Sequence, residues 1–218
     1  MRTQLERIAF VRTQTRVVPV PLIPDLLLHT ATELSPIWAA TQSWMDVREL
    51  EPPYWAFPWP GGQALGRFVL DHPRWVRGKR VLDFATGSGL CAITAVRAGA
   101  ASVLATDLDP VAITAAGLNA ELSSVSFDAR AVDLVGTDLA DVDVVLVGDV
   151  FYEQGPAARF DAWFRELATR VVVLVGDPGR AYLPADLVRL GAYDVPVQPE
   201  IESAVSRPTT IWRYPAPT

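Results

Sequence analysis

The sequence predicts an α/β protein built on a doubly wound, mostly parallel sheet, with an antiparallel C-terminal hairpin and an N-terminal helical and loop extension. Beyond residue 78, short β-branched runs alternate with stretches of helical spacing, which is typical of βαβ units. The first run ends in a glycine-rich turn, and the last two runs have no helix between them. Together these observations favour seven strands, of which the last two form a hairpin at one edge of the sheet.

The elements follow in chain order. The predicted strands are 80–84, 102–106, 125–132, 142–148, 170–176, 193–197 and 209–214. The predicted helices begin at Gly61 and Pro110 and also cover 90–98, 155–168 and 184–190. The fourth strand is apolar almost throughout, as expected of a strand that is covered on both faces. Pro110 stands in the first turn of its helix, a position that proline favours.

Length and composition predict the domain organisation. The 218 residues suit one domain with a small extension, and we expect an N-terminal extension and lid over 1–60 and the main domain over 61–218. A chain of this size buries enough surface to fold without disulfides. Its single cysteine, Cys91, cannot form an internal disulfide and fits a reducing compartment.

Charge and hydropathy argue against several function classes. The 25 acidic residues outnumber the 19 basic ones, which disfavours a phosphate-binding surface and so a nucleic-acid partner. The longest apolar runs fall short of the roughly 18 residues of a membrane span, and two histidines with one cysteine argue against a metal site. Lys79 is the only lysine, a bias typical of GC-rich coding, so we expect a bacterial, cytoplasmic protein. We also expect a monomer. A transit segment carrying the early arginines is the weaker alternative.

A glycine-rich turn after the first strand indicates a nucleotide site. Residues 87–92 fit the pattern G-x-G-x-x-G/A, and Asp107 follows Gly87 by 20 residues, the spacing of an acid that binds ribose hydroxyls. This pattern alone does not choose between a dinucleotide and S-adenosylmethionine. Asp83 favours the second, because it would repel a pyrophosphate and attract an ammonium and a sulfonium. Asp133 ends the third strand, where it can reach an adenine edge or cap a turn.

A second polar cluster follows the fourth strand. Ligands of open α/β sheets bind at the carboxyl ends of strands, so Asp149 and Tyr152 should point toward the reacting group. Tyr152 as a core aromatic and Asp149 as a helix cap are the alternatives. Asp177 and Arg180 lie in a second rim loop, after the fifth strand.

Two motifs carry a family resemblance. Residues 81–89 resemble the first motif of the seven-β-strand class I methyltransferases, and 149–152 resemble the D-x-x-Y motif of the protein-lysine methyltransferases in that class. The family usually has glycine where this chain has Ala85. The resemblance implies S-adenosyl-L-methionine as cofactor and a set of residues around it: Trp59, Gly62, Asp83, Gly87, Gly89, Asp107, Asp133 and Gly148.

Four blocks narrow the resemblance further. Residues 52–62, 148–152, 176–180 and 209–212 together resemble the electron transfer flavoprotein β-subunit lysine methyltransferase family. The resemblance implies a protein substrate, with Asp149 and Tyr152 as catalytic residues. It also implies a substrate-binding set: Trp55, Phe57, Glu153, Asp177 and Arg180. For the tryptophans among the prolines of the first block, loop packing is the alternative to a lid over the cofactor.

The chemistry of the reaction agrees with this interpretation. An amine must be neutral to attack a sulfonium methyl group, yet only about one lysine in a thousand is neutral near pH 7. Asp149 can orient the ammonium but also raises its pKa, while apolar walls such as Trp55 and Phe57 lower it by desolvation. We therefore expect orientation and not a strong general base.

Three other functions remain open. The same motifs suit a small-molecule amine N-methyltransferase acting on nicotinamide-like amines. Ala85 in place of glycine is compatible with a nucleotide-binding module without catalysis. A dehydrogenase is the weakest alternative, because Asp83 is badly placed for a pyrophosphate.

Overall fold

The computed structural model describes residues 3–31, 33–45, 52–197 and 204–216. The helices are α1 (Gln4–Gln14), α2 (Leu34–Met45), α3 (Pro60–Asp71), α4 (Leu90–Arg97), α5 (Pro110–Leu122) and α6 (Gln154–Leu167). The strands are β1 (Arg16–Val20), β2 (Ile23–Thr30), β3 (Arg80–Phe84), β4 (Ser102–Asp107), β5 (Asp128–Ala131), β6 (Val144–Gly148), β7 (Val172–Asp177), β8 (Val188–Pro196) and β9 (Ser206–Arg213). Short 3-10 helices cover Tyr54–Ala56 and Pro73–Trp75.

The central sheet has seven strands in the order β5-β4-β3-β6-β7-β9-β8. The pairs from β5 to β7 are parallel, and β9 pairs antiparallel with both β7 and β8. This arrangement confirms the predicted fold class. Because β3 lies between β4 and β6, the chain reverses its direction of travel across the sheet there, which is where open α/β sheets bind ligands.

Apolar layers cover both faces of the sheet. On one face, Leu65 of α3 and Ile93 of α4 pack with Leu26 and Leu28 of the β1–β2 hairpin. On the other face, the side chains of α6 pack under the central strands, and Phe164 is fully buried there. A third cluster joins α1 and the 3-10 turn at Tyr54 to α5. Within the described ranges, no helix combines the length and apolar character needed to cross a membrane.

The structure differs from the predicted secondary structure in two places. The β1–β2 hairpin was not predicted, because prolines at 19, 21 and 24 interrupt its pattern; a two-stranded sheet tolerates them since both strands are edges. The predicted helix over 184–190 is absent, and β8 begins at Val188 instead. Leu187 and Leu190 are spaced as on one helix face, but they pack into clusters on opposite faces of the sheet, as residues three apart on a strand do.

Candidate active site

The carboxyl ends of four parallel strands bring four carboxylates to one edge of the sheet. The register pairs Phe84 with both Thr106 and Val147, and Gly148 with Gly176, so β3, β4, β6 and β7 end side by side. The acids carried there are Asp83, Asp107, Asp149 and Asp177. We call Asp83, Asp107 and the 85–89 loop the cofactor half, and Asp149 with the 177–180 loop the acceptor half.

The loop of the cofactor half turns through left-handed backbone. Ala85, Gly87 and Gly89 have φ angles of 52°, 53° and 81°. A Cβ on Gly89 would lie 2.9 Å from the Cβ of Ala116, so only glycine lets α4 start this close to α5. Gly87 has no such neighbour and leaves its backbone open to a ligand.

Asp83 and Asp107 hold this loop from beneath. The buried Asp83 accepts hydrogen bonds from the Thr86 hydroxyl and, at 2.9 Å, from the Ala92 amide in the first turn of α4. Burial raises the pKa of Asp83 to about 7. Asp107 accepts from the Gly87 amide at 2.9 Å, and burial likewise raises its pKa. A buried acid and a half-buried one, both with neutral partners, fit the ammonium, sulfonium and ribose hydroxyls of S-adenosylmethionine.

Asp133 lies two residues beyond β5 and is exposed. Its carboxylate accepts a hydrogen bond from the Val135 amide at 2.9 Å and pairs with Arg159 of α6 at 2.8 Å. The Val135 hydrogen bond, more than the Arg159 contact, lowers its pKa. The structure therefore has the turn cap that the sequence offered as one alternative, and a contact with adenine stays a prediction.

The N-terminus of α3 meets the ends of β6 and β7 backbone to backbone. The Gly61 amide donates to Asp149 Oδ2, and a Cβ on Gly61 would overlap the Gly176 carbonyl oxygen. A Cβ on Gly148 would lie 3.1 Å from the Gly62 nitrogen. Sequence reasoning missed Gly61 and Gly176, although each is a glycine next to a predicted site residue. The contact places Gly62 and Gly148 beside Asp149.

Asp149 is held by an arginine from the neighbouring loop. It is 8% exposed and has a φ of 56°. Its Oδ1 accepts from Arg180 Nε at 2.8 Å and lies 2.8 Å from Arg180 Nη2. Burial raises the pKa of Asp149 to about 7, although the Arg180 charge opposes that shift.

Asp177 shapes the loop that carries Arg180. Its Oδ1 accepts from the Gly179 amide at 2.6 Å and from the Arg180 amide at 2.7 Å. Its Oδ2 is buried and has no hydrogen-bond partner among the described residues. Burial raises the pKa of Asp177.

Aromatic rings surround the acceptor half. The Tyr152 side chain is 45% exposed, and its ring centroid lies 5.3 Å from that of Tyr54. The Tyr54 and Trp59 rings are 5.7 Å apart, and the Arg180 guanidinium carbon lies 6.0 Å from the Trp59 ring centroid. Glu153 is exposed immediately before α6. Trp59 thus lies beside Arg180, and Tyr54 connects it to Tyr152.

Trp55 and Phe57 are buried more deeply than expected of side chains that line an acceptor site. They are 2% and 4% exposed and pack with Val111 and Ala115 of α5 in the third cluster. A Cβ on Gly87 would lie 3.7 Å from the Trp55 Cα, so the backbone of Trp55 supports the glycine loop. The structure therefore shows the packing alternative for both rings, and their contact with an acceptor stays a prediction.

Two buried amides that the sequence analysis missed tie the extension to the site. Asn119 accepts from the His29 amide of β2 at 2.7 Å and donates to the Ser88 carbonyl at 2.8 Å. Gln63 accepts from the Leu22 amide at 3.1 Å and donates to the Pro58 carbonyl at 2.7 Å. An isolated amide on an otherwise apolar helix face is the signal that could have found them. In the part of the chain that the structure describes, no cluster of histidine, cysteine and acidic residues could hold a metal.

Comparisons with known proteins agree with this geometry. The family model of the ribosomal protein L11 methyltransferases matches residues 68–148. The electron transfer flavoprotein β-subunit lysine methyltransferase of Xenopus laevis is 36% identical over 94% of this chain and 86% of its own length. The protein of that name from Mus musculus is 34% identical over 88% and 78%. These relatives are animal proteins, so they do not support the bacterial origin that arginine usage suggested.

Solved structures agree on the fold. The N-methyltransferase NodS from Bradyrhizobium japonicum, in complex with S-adenosyl-L-homocysteine, superposes with a TM-score of 0.50 over 69% of this chain and 84% of its own, at 14% identity. The chain is an S-adenosyl-L-methionine-dependent methyltransferase. It belongs to the electron transfer flavoprotein β-subunit lysine methyltransferase family.

Proposed function

We propose that this chain transfers a methyl group from S-adenosylmethionine to a lysine of the electron transfer flavoprotein β-subunit. The observation that supports it best is the 36% identity, over 94% of the chain, to a relative named for that reaction. The site is compatible with the chemistry, because a buried carboxylate, Asp149, directly follows β6, the strand that pairs with β3 ahead of the glycine loop. Such a carboxylate suits a cationic acceptor better than a neutral one.

We assign the cofactor half to the methyl donor. When bound, S-adenosylmethionine supplies an electrophilic methyl group on a sulfonium. The residues proposed to hold the methionine end are Trp59, Gly62, Asp83, Gly87, Gly89 and Gly148. Asp107 would accept hydrogen bonds from the ribose, and Asp133 from the adenine once its contact with Arg159 rearranges.

The acceptor half then has to place an amine. Asp149 binds and orients the ammonium, while Tyr152 and Glu153 line the entrance for the lysine side chain. Trp55 and Phe57 keep the surroundings apolar, and Asp177 and Arg180 form the second rim. Orientation of two reactants supplies up to about 7–11 kcal/mol of a barrier, so no strong base is required.

Further proposals concern the whole molecule. We assign residues 1–60 to an extension and lid over the domain at 61–218; residues 1–2, 32 and 46–51 of that segment lie outside the described ranges. The buried contacts of Gln63 and Asn119 to the extension support this role. We also propose a cytoplasmic monomer without a nucleic-acid partner. Light scattering of the purified protein and cell fractionation test these two points.

The acceptor is tested with labelled S-adenosylmethionine and three substrates. Recombinant electron transfer flavoprotein should gain label on lysines of its β-subunit, located by mass spectrometry. The same protein with acetylated lysines is the matched control and should gain none. Nicotinamide-like amines should compete poorly. Methylation of the small amines, with none on the flavoprotein, would contradict the proposal in favour of a small-molecule enzyme.

A further inference from the structure

The contact between Arg180 and Asp149 bears on how a lysine bound beside a carboxylate can lose its proton. A lone carboxylate next to the acceptor raises the lysine pKa and so keeps the amine in its unreactive, protonated form. In the structure, Asp149 is not alone: Arg180 Nε and Nη2 both lie 2.8 Å from its Oδ1. When Asp149 is ionised the pair has no net charge, but the carboxylate keeps lone pairs to orient a donor.

We propose that Arg180 is a positioning residue that cancels the charge of Asp149, so that a bound lysine is oriented by the carboxylate and still loses its proton to water. The inference deepens the proposed lysine transfer and rests on it. It gives Arg180 a role through Asp149, in addition to the substrate contact predicted from the sequence.

The surroundings of Arg180 fix its position. The Asp177 carboxylate accepts hydrogen bonds from the amides of Gly179 and Arg180, which holds the backbone of the loop. The half-buried guanidinium also lies 6.0 Å from the centroid of the Trp59 ring, a favourable site for a cation. An arginine held at both ends loses little further freedom when it pairs with Asp149.

The titratable and polar groups around Asp149 come from three elements. Asp177 at the end of β7 and Arg180 in the loop that follows both face it; beside the effect of burial, the Asp177 charge raises the Asp149 pKa and the Arg180 charge lowers it. The Cys91 thiol approaches from α4, and burial raises its pKa well above the ordinary value, with smaller contributions from Asp83 and Asp149. The α3 terminus adds the neutral Gly61 amide. Arg180 is therefore the positive charge that balances Asp149 within this group.

The test compares wild type with Arg180→Gln and Arg180→Lys on recombinant electron transfer flavoprotein. A unit charge about 6 Å away, at an effective dielectric constant of about 20, shifts a pKa by about two units. In R180Q we expect the rising limb of kcat to move about one to two pH units upward, because kcat reports the bound complex. On that limb kcat falls about 10- to 100-fold. R180K keeps a cation there and should keep the limb near its wild-type pH.

An equilibrium measurement separates this role from a structural one. With S-adenosylhomocysteine in place of the donor, and at a pH above the raised pKa of Asp149 so that its carboxylate is ionised, R180Q should bind the flavoprotein as tightly as wild type or more tightly, since the carboxylate without Arg180 attracts the lysine ammonium. S-adenosylmethionine binding should be unchanged in calorimetry. Arg170→Gln is the matched control, because Arg170 pairs with Asp138 at 2.5 Å just before β7, at the opposite end of the strand from the site. It should change neither kcat nor its pH profile.

Three results would overturn the inference. Tighter binding together with a higher kcat in R180Q would mean that Arg180 occupies the acceptor site and that the lysine has to displace it. Loss of acceptor binding and kcat together, at an unmoved pH limb, would leave only a structural role. A limb that moves equally in R180K and R180Q would exclude charge as the cause. If the wild type methylates a small amine and not the flavoprotein, the proposed function fails. The inference about Arg180 then requires the same difference between R180Q and R180K with that amine as substrate.

Discussion

The two halves of the site hold their carboxylates with different partners. In the cofactor half, Asp83 and Asp107 accept hydrogen bonds from backbone amides and the Thr86 hydroxyl, all neutral donors. In the acceptor half, Asp177 likewise accepts from backbone amides, but Asp149 also pairs with the guanidinium of Arg180. Neutral partners leave negative charge to attract a permanently cationic cofactor, whereas a paired acid suits an acceptor that must become neutral before it reacts. The difference matches the two ligands.

Isosteric substitution in each half should separate binding from turnover, and this is the largest effect we expect. Asp149→Asn keeps the shape but loses the charge that orients the ammonium, so kcat should fall by at least about 100-fold, with S-adenosylmethionine affinity kept within about threefold. Asp107→Asn should weaken cofactor affinity by about tenfold, the cost of one charged hydrogen bond. Calorimetry and initial rates check both. Equal losses of cofactor affinity and turnover in both variants would contradict the assignment of Asp107 to the cofactor and Asp149 to the acceptor.

The backbone contact of the α3 N-terminus with the ends of β6 and β7 should give the next largest effect when it is disturbed. Gly61→Ala puts a methyl group into the Gly176 carbonyl and Asp149, so we expect about 1–3 kcal/mol less unfolding free energy. Gly117→Ala on α5 is the matched control, because its Cβ meets nothing within 4 Å. It should gain up to about 1 kcal/mol from helix propensity. Urea denaturation measures both, and a Gly61→Ala variant as stable as Gly117→Ala would show that α3 shifts to make room for the methyl group.

A pH experiment tests whether the acids of the cofactor half carry negative charge that their neutral hydrogen-bond donors leave unbalanced. Burial raises the pKa of Asp83 from its ordinary 3.8 to about 7, so the unfolding free energy of the free protein should fall as the pH rises from about 4 to 7. Cofactor cations favour the ionised form, so affinity for S-adenosylmethionine should rise between pH 6 and 8, with release of protons. Calorimetry near pH 6.5 in buffers of different ionisation enthalpy measures the release. Asp83→Asn should remove most of it, and an unchanged release would assign the proton elsewhere.

Sequence reasoning reached the sheet and the strand-end acids because both follow local rules. Short β-branched runs between helical stretches predict β3 to β7, and the carboxyl ends of parallel strands meet, so Asp83, Asp107 and Asp149 come together once the strands are known. The Asp149–Arg180 pair was beyond that reasoning, since its partners are 31 residues apart and belong to two loops. For Trp55 the sequence left packing and a lid both open, because the choice depends on α1 and α5, which pack from elsewhere in the chain.

The smallest expected effect concerns Ala85, where this chain departs from the glycine usual in the family. Its φ of 52° costs a non-glycine residue about 1–2 kcal/mol, and glycine returns about 0.5–1 kcal/mol as unfolded-state entropy. Ala85→Gly should therefore raise the unfolding free energy by about 0.5–1 kcal/mol. Ser124→Gly is the matched control, because Ser124 also has a φ of 52° but follows α5, outside the site.

Cofactor affinity then decides what the Ala85 methyl group does. Ala85 is exposed at the carboxyl end of β3, where the glycine loop begins. If its methyl group crowds the methionine end, Ala85→Gly should tighten S-adenosylmethionine binding several-fold while Ser124→Gly leaves it unchanged. If the two variants gain the same stability but Ala85→Gly weakens binding, the methyl group is a contact that supports the cofactor. The negative charge of the cofactor half would then bind the cofactor together with a shape-complementary contact at Ala85, the first residue of the 85–89 loop.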